Sequence, residues 1–198
     1  MKRKSLILSC AVVVASASVA GVSYAWMESG AAEGSPSRSI AVAGTADAER
    51  SLQTASQTVG FQADVPTFFP TSANRLVLVD SGSGPGSKVG GSLPLIELVY
   101  ESDKKFSFKG QQLTMTIELF QMLARLNTPR GEKLAVSNAN FDIYRDVVTK
   151  DDAGAPLKAT YTAVGANKSF VIDFSGEQPS EEGIVKMLES MRPVPKTP

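Results

Sequence analysis

The chain has 198 residues, with 20 basic and 20 acidic side chains, no histidine and a single cysteine, Cys10. That inventory excludes Ser-His-Asp and Cys-His catalysis, zinc held by histidine or cysteine, an imidazole pH switch, a cysteine-held iron–sulfur cluster and any internal disulfide. The length suits one domain of average size with appendages.

Met1-Lys2-Arg3-Lys4 is a compact cationic start, and no charge follows from Ser5 to Trp26. Positive charge resists translocation while the apolar stretch enters the bilayer, which delivers the remainder to the outside. Residues 1–25 therefore read as a signal peptide or a membrane anchor, with residues 5–26 as the membrane contact if they are retained. The stretch is long enough to cross a hydrocarbon core of about 30 Å. Its second half is rich in small residues, and both Ala15-Ser16-Ala17 and Ser23-Tyr24-Ala25 fit a small-x-small cleavage site. Ile7-Leu8-Ser9-Cys10 loosely matches a lipobox, but only about five residues of the apolar region precede the cysteine, against 7–15 in a usual signal core. Cys10 reads instead as a small apolar residue within the segment. Removal of the leader takes Lys2, Arg3 and Lys4 with it, leaving 17 basic against 20 acidic groups. A mildly acidic domain lacks the electrostatic footprint of a nucleic-acid binder. The expected location is extracytoplasmic, secreted or periplasmic or held at the cytoplasmic membrane, in a bacterial envelope.

Residues 26–58 are mostly Ala, Ser, Gly and Thr and read as a flexible tether, since they offer little apolar area to offset ordering entropy. A short helix over Ala46 to Ser56 would have Leu52 as almost its only apolar anchor. The domain is expected over residues 59–193, with 194–198 as a tail. Val65 to Pro70 is an extended, proline-clamped segment. Arg75 to Asp80 reads as a strand, Ser81 to Ser92 as a Gly/Ser loop, Leu93 to Glu101 as a second strand, and Ser102-Asp103-Lys104-Lys105 as turn material. Leu113 to Leu119 alternates with the period of a half-buried strand, and Phe120 to Leu126 fits either strand or helix. Asn140 to Val148 is a further strand. Leu157 to Val164 and Ser169 to Phe174 form a hairpin, with Phe170, Ile172 and Phe174 on one face and Val171 and Asp173 on the other. Ser180 caps a helix carrying Ile184, Leu188 and Met191, stopped by Pro193 and Pro195. The expected fold is α+β, an antiparallel sheet with a C-terminal helix packed on one face.

This order resembles the exported bacterial family called domain of unknown function 4367. The matching residues are Phe61 to Pro70, Leu76 to Asp80, Val99-Tyr100-Glu101, Leu113 to Leu119, Phe170 to Gly176, Ser180-Glu181-Glu182 and Leu188 to Met191. The resemblance implies the extracytoplasmic domain of a single-pass envelope protein and brings no catalytic residues with it.

Chemical motifs are sparse. Asp80 to Lys88 is glycine-rich after a strand, but Ser87 separates Gly86 from Lys88 and no helix opens there, so a phosphate loop is not formed. Ser102-Asp103-Lys104-Lys105 spells Ser-x-x-Lys without the partner motifs that chemistry requires. Asp142, Asp146, Asp151 and Asp152 lack calcium-loop spacing. No two of the acids are singled out as a glycosidase pair. No catalytic residue, cofactor or metal is expected. Tyr100, Phe106, Phe108, Phe141, Tyr144 and Tyr161 fall on strands, where aromatics are usually core. If they line one open sheet face, they form a groove for a lipid, a glycan or a peptide, and the expected partner is an envelope protein or an apolar ligand. The leading expectation is a non-enzymatic binding or sensor-like domain. The alternative is a small exported hydrolase using Ser/Lys or paired-carboxylate chemistry.

Overall fold

A computed structural model describes residues 40–41, 45–85, 92–136, 138 and 140–195. The leader, Cys10 and residues 86–91 lie outside the described residues.

Among the described residues, ten strands and two helices form a small antiparallel α+β domain. The strands are β1 (Ile40–Ala41), β2 (Asp64–Pro66), β3 (Arg75–Pro85), β4 (Ser92–Phe108), β5 (Gln111–Met122), β6 (Glu132–Lys133), β7 (Asp142–Lys150), β8 (Pro156–Val164), β9 (Ser169–Ser175) and β10 (Met191–Pro193). The helices are α1 (Thr45–Val59) and α2 (Glu181–Glu189). Eight strands make one sheet in the order β1-β3-β4-β5-β9-β8-β7-β6, and β10 pairs with β2 in a separate two-stranded ribbon. Every pairing is antiparallel.

Alternation within the central strands separates two faces. Ile96, Leu98, Tyr100, Ile117, Leu119, Tyr161, Phe170, Ile172 and Phe174 enter the main core with Leu52, Ala55, Ile184, Met187 and Leu188 of the helices. Leu95, Phe120, Met122 and Val171 form a second, smaller cluster with Leu126 against it. The hairpin of β8 and β9 has the expected facing, because Val171 separates from Phe170 and Ile172.

The domain is larger than residues 59–193. Helix α1 lies inside the stretch expected as a tether, and its Leu52 and Ala55 are core. The turn spacing from Leu52 to Ala55 to Val59 puts one narrow apolar stripe on the sheet, with Ser51 buried beside it. The helix ends at Gly60, whose φ of +78° suits the left-handed exit. At the other end Val194, expected in the tail, is buried and donates its N–H to the Ala63 carbonyl at 2.9 Å.

Three local expectations change. The Gly/Ser stretch after Asp80 continues the strand, since β3 pairs with β4 through Pro85 opposite Ser92. Residues Ser102 to Lys105 do not turn the chain, because β4 runs on to Phe108. Helix α2 has the expected cap, with Ser180 Oγ accepting the Gly183 N–H at 3.1 Å. It stops at Glu189, however, so Met187 takes the core position expected of Met191, which belongs to β10. The prolines do not merely end the helix: Pro193 sits opposite Asp64 in the β2–β10 ribbon.

Among the described residues no helix is long and apolar enough to cross a membrane.

Candidate functional site

The most distinctive surface feature is an arm formed by β4 and β5. Strand β5 leaves its partner β9 at Thr116 opposite Ser175, and β4 leaves β3 at Glu101 opposite Arg75. Beyond those rungs Lys105, Phe106, Ser107 and Phe108 pair with Thr114, Leu113, Gln112 and Gln111 and with no other strand. A two-stranded ribbon alone is marginal in water, so its root must be held.

The root is held by a polar chain and an apolar clamp. Between Glu101 and Lys105 the β4 side carries extra residues, and Ser102 Oγ steadies this bulge by accepting the Lys104 N–H at 3.0 Å. The same hydroxyl donates to Ser72 Oγ at 3.0 Å, and Ser72 Oγ donates to Glu177 Oε2 at 2.9 Å. The Ser72 N–H adds a second bond to that oxygen at 3.0 Å. These two bonds from Ser72 hold the Glu177 carboxyl below the usual carboxylate range. On the apolar side, Phe106 and Met115 close over Gly176. A Cβ there would stand 2.8 Å from both Phe106 Cδ1 and Met115 Cγ, and φ is +91°, so only glycine fits. Ser102 is thus a buried structural hydroxyl, and the Ser-x-x-Lys spelling lies on a bulged strand and not at a helix start.

The arm is cationic. Lys104, Lys105 and Lys109 are exposed, and no Asp or Glu occurs from residue 104 to residue 117. Asp103, just before, faces Arg75 at 3.7 Å, and the same guanidinium reaches Glu101 at 3.4 Å. The tip is a two-residue loop, Lys109-Gly110, with φ of +50° and +77°. Positive φ at both positions is the signature of a type I′ turn, which normally takes Asn, Asp or Gly first. Lys109 is the one non-glycine residue with positive φ among those described. Its Nζ lies 5.3 Å from the centre of the Phe108 ring.

The six aromatics expected to line a groove do not share one surface. Tyr100 and Tyr161 are core residues with 3% and 1% exposure, so they are corrected to packing positions. Tyr100 meets Phe69 edge-on at 4.9 Å, and Tyr161 meets Phe174 edge-on at 5.6 Å. Burial raises both phenol pKa values. Phe141 packs on Phe170 at 5.5 Å. Tyr144 follows the buried Ile143 in β7 and pairs with Thr162 and Lys133, which puts it on the opposite face. Phe106 and Phe108 belong to the arm. The reason is the period of two: aromatics with unlike parity on paired strands cannot converge.

One further pair of groups emerges from strand order. Glu118 and Asp173 are directly opposite each other on β5 and β9. Burial and the Asp173 charge raise the Glu118 pKa, with Lys158 opposing them. Thr160 Oγ1 donates to Asp173 Oδ1 at 2.5 Å. Among the acids discussed for calcium, Asp151 Oδ1 instead accepts the N–H groups of Ala153 and Ala155 in its own turn, and Asp142 pairs with Lys133 at 2.8 Å. Among the described residues no group of three or more acids or cysteines is placed to hold a metal ion. Comparison with protein-family models, curated proteins and solved structures gives no significant match for this chain.

Proposed function

We propose that this is an extracytoplasmic envelope protein, exported or anchored by residues 1–25, whose domain works by binding and not by turnover. The observation that carries the reading is the β4–β5 arm: a ribbon extending past its neighbours, braced at its root and cationic to its tip. Bracing without an inward-facing reactive group is what a contact element needs, because order at the root lowers the entropy lost on binding. The Ser102 hydroxyl is engaged at both donor and acceptor, which suits support of the arm better than nucleophilic attack. The charge order of the leader and the resemblance to domain of unknown function 4367 support the same location. In this reading helix α2 covers the main core face of the sheet and leaves the arm clear.

The experiment is protease shaving of intact cells that make the full chain, followed by an alkaline wash of their membranes. The reading expects the domain to be digested from outside and, where the leader is retained, to resist the wash. Protection in intact cells with release on lysis would contradict it.

A hydrolase reading is favoured by one observation, the Glu118–Asp173 pair with its raised Glu118 pKa. It requires that Glu118→Gln and Asp173→Asn each abolish a measured hydrolysis. Folded variants that leave such a turnover unchanged would remove it.

A further inference from the structure

We propose that the β4–β5 arm docks on an anionic phospholipid surface, with Lys104, Lys105 and Lys109 at the headgroups and the Phe108 ring at the interface. The inference deepens the membrane-proximal reading above and rests on it for the nearness of a bilayer.

Three independent features point the same way. First, charge is segregated. The chain beyond the leader has more acids than bases, yet residues 104–117 carry three lysines and no acid. Asp103, the nearest acid in sequence, is already faced by Arg75, and the Glu177 carboxylate at the root acts on Lys104, which leaves Lys105 and Lys109 as the cations farther out. Second, the cation at the tip is kept in an unfavourable conformation. Lys109 at φ +50° occupies a place where Asn or Gly would sit without strain. Retaining a long cation there puts a charge at the outermost point of the ribbon. Third, the tip combines that cation with an aromatic ring, Lys109 over Phe108, an arrangement suited to a boundary that is charged on one side and apolar on the other. The edge of β4, unpaired beyond Glu101, can lie along a flat bilayer with all three lysines reaching the headgroups, whereas end-on contact would leave Lys104 and Lys105 about 13–16 Å back. Lysines near an anionic bilayer each strengthen association about fivefold at low salt, so three suffice for reversible contact.

The test uses the full 198-residue chain with Trp26→Phe and Phe108→Trp, which moves the single indole to the arm. The protein is mixed with vesicles of neutral brominated phosphatidylcholine, or of the same lipid with about one-third brominated phosphatidylglycerol. Cosedimentation and indole quenching are read together. The proposal expects quenching on the anionic vesicles alone, reversed by 0.5 M salt as a ~4 Å Debye length screens the lysines. It also expects loss of quenching in Lys104→Ala/Lys105→Ala/Lys109→Asn and retention in the control Lys150→Ala. Asn fits the turn, so the triple variant keeps the hairpin.

Equal quenching on both vesicle types overturns the proposal, as does cosedimentation without quenching, which leaves the anchor reading intact. Salt-reversible quenching on anionic vesicles, with no sedimentation on neutral ones, supports the arm and removes the anchor. Sedimentation with neither removes both.

Discussion

The carboxamide of Gln121 pairs with both backbone groups of Asp64: Oε1 accepts the Asp64 N–H at 2.8 Å, and Nε2 donates to the Asp64 carbonyl at 2.6 Å. A side chain thereby imitates a neighbouring strand, completing the pairing of β2 on the side not taken by β10. Gln121 is wholly buried on the core side of β5, where an apolar residue would be expected by period alone. Its polarity is needed because a buried peptide N–H and carbonyl would otherwise lack partners. Lys168 then pairs with the Asp64 carboxylate, so one residue is held from three directions.

Gln121→Leu is therefore expected to destabilise the domain despite its gain in apolarity. Both Asp64 backbone groups lose their partners, at a combined cost of about 2–5 kcal/mol. Urea unfolding of the variant checks this, and an unchanged midpoint would mean that water replaces the amide freely.

Leu52→Ala tests the enlarged domain. A core leucine on α1 should cost about 2–4 kcal/mol when truncated. Were residues 45–58 the tether that their composition suggests, the same change would leave the unfolding midpoint where it was.

Glu118→Gln should stabilise the protein at neutral pH, by about 0.2–1 kcal/mol, through relief of the cross-strand repulsion with Asp173. The sign follows from the raised folded-state pKa. Below the unfolded pKa, Glu118 is protonated in both states and the variant gains nothing from removal of charge. As pH rises through the folded pKa, the wild type loses stability that the variant retains. Unfolding curves at pH 4 and pH 7 should diverge only at the higher value.

Lys109→Asn should raise stability by about 0.5–1 kcal/mol, because Asn tolerates a left-handed backbone better than Lys. Lys109→Ala, which keeps the strain, should give no such gain. Thermal melts of the two variants distinguish turn strain from simple loss of charge.

Strand hydrophobicity made most of the sheet legible in advance. The β8–β9 hairpin and the Ser180 cap needed only local signals: alternation of Phe170, Ile172 and Phe174, and a hydroxyl ahead of two glutamates. Helix α1 was obscured because one leucine, one alanine and a valine at its end suffice to dock it, an apolar content that composition cannot tell from a tether. The arm was obscured by Ser102-Asp103-Lys104-Lys105, whose polar residues spell a turn equally well as a bulge inside a long strand. Its bracing could not be read at all, since Ser72, Ser102 and Glu177 are separated by 30 to 105 positions and meet only through the sheet order. The aromatic set failed for a related reason. Residue type marks a ring as buried or exposed on average, but which face it takes depends on strand register.

The central claim is that the arm is the contact element of a membrane-proximal domain. Amide hydrogen exchange of the full chain, with neutral and then anionic vesicles, tests it most directly. The account predicts slower exchange across residues 104–114 on anionic vesicles alone, with the β8–β9 hairpin unchanged. Identical exchange of the arm on both surfaces, or protection confined to other strands, would contradict it.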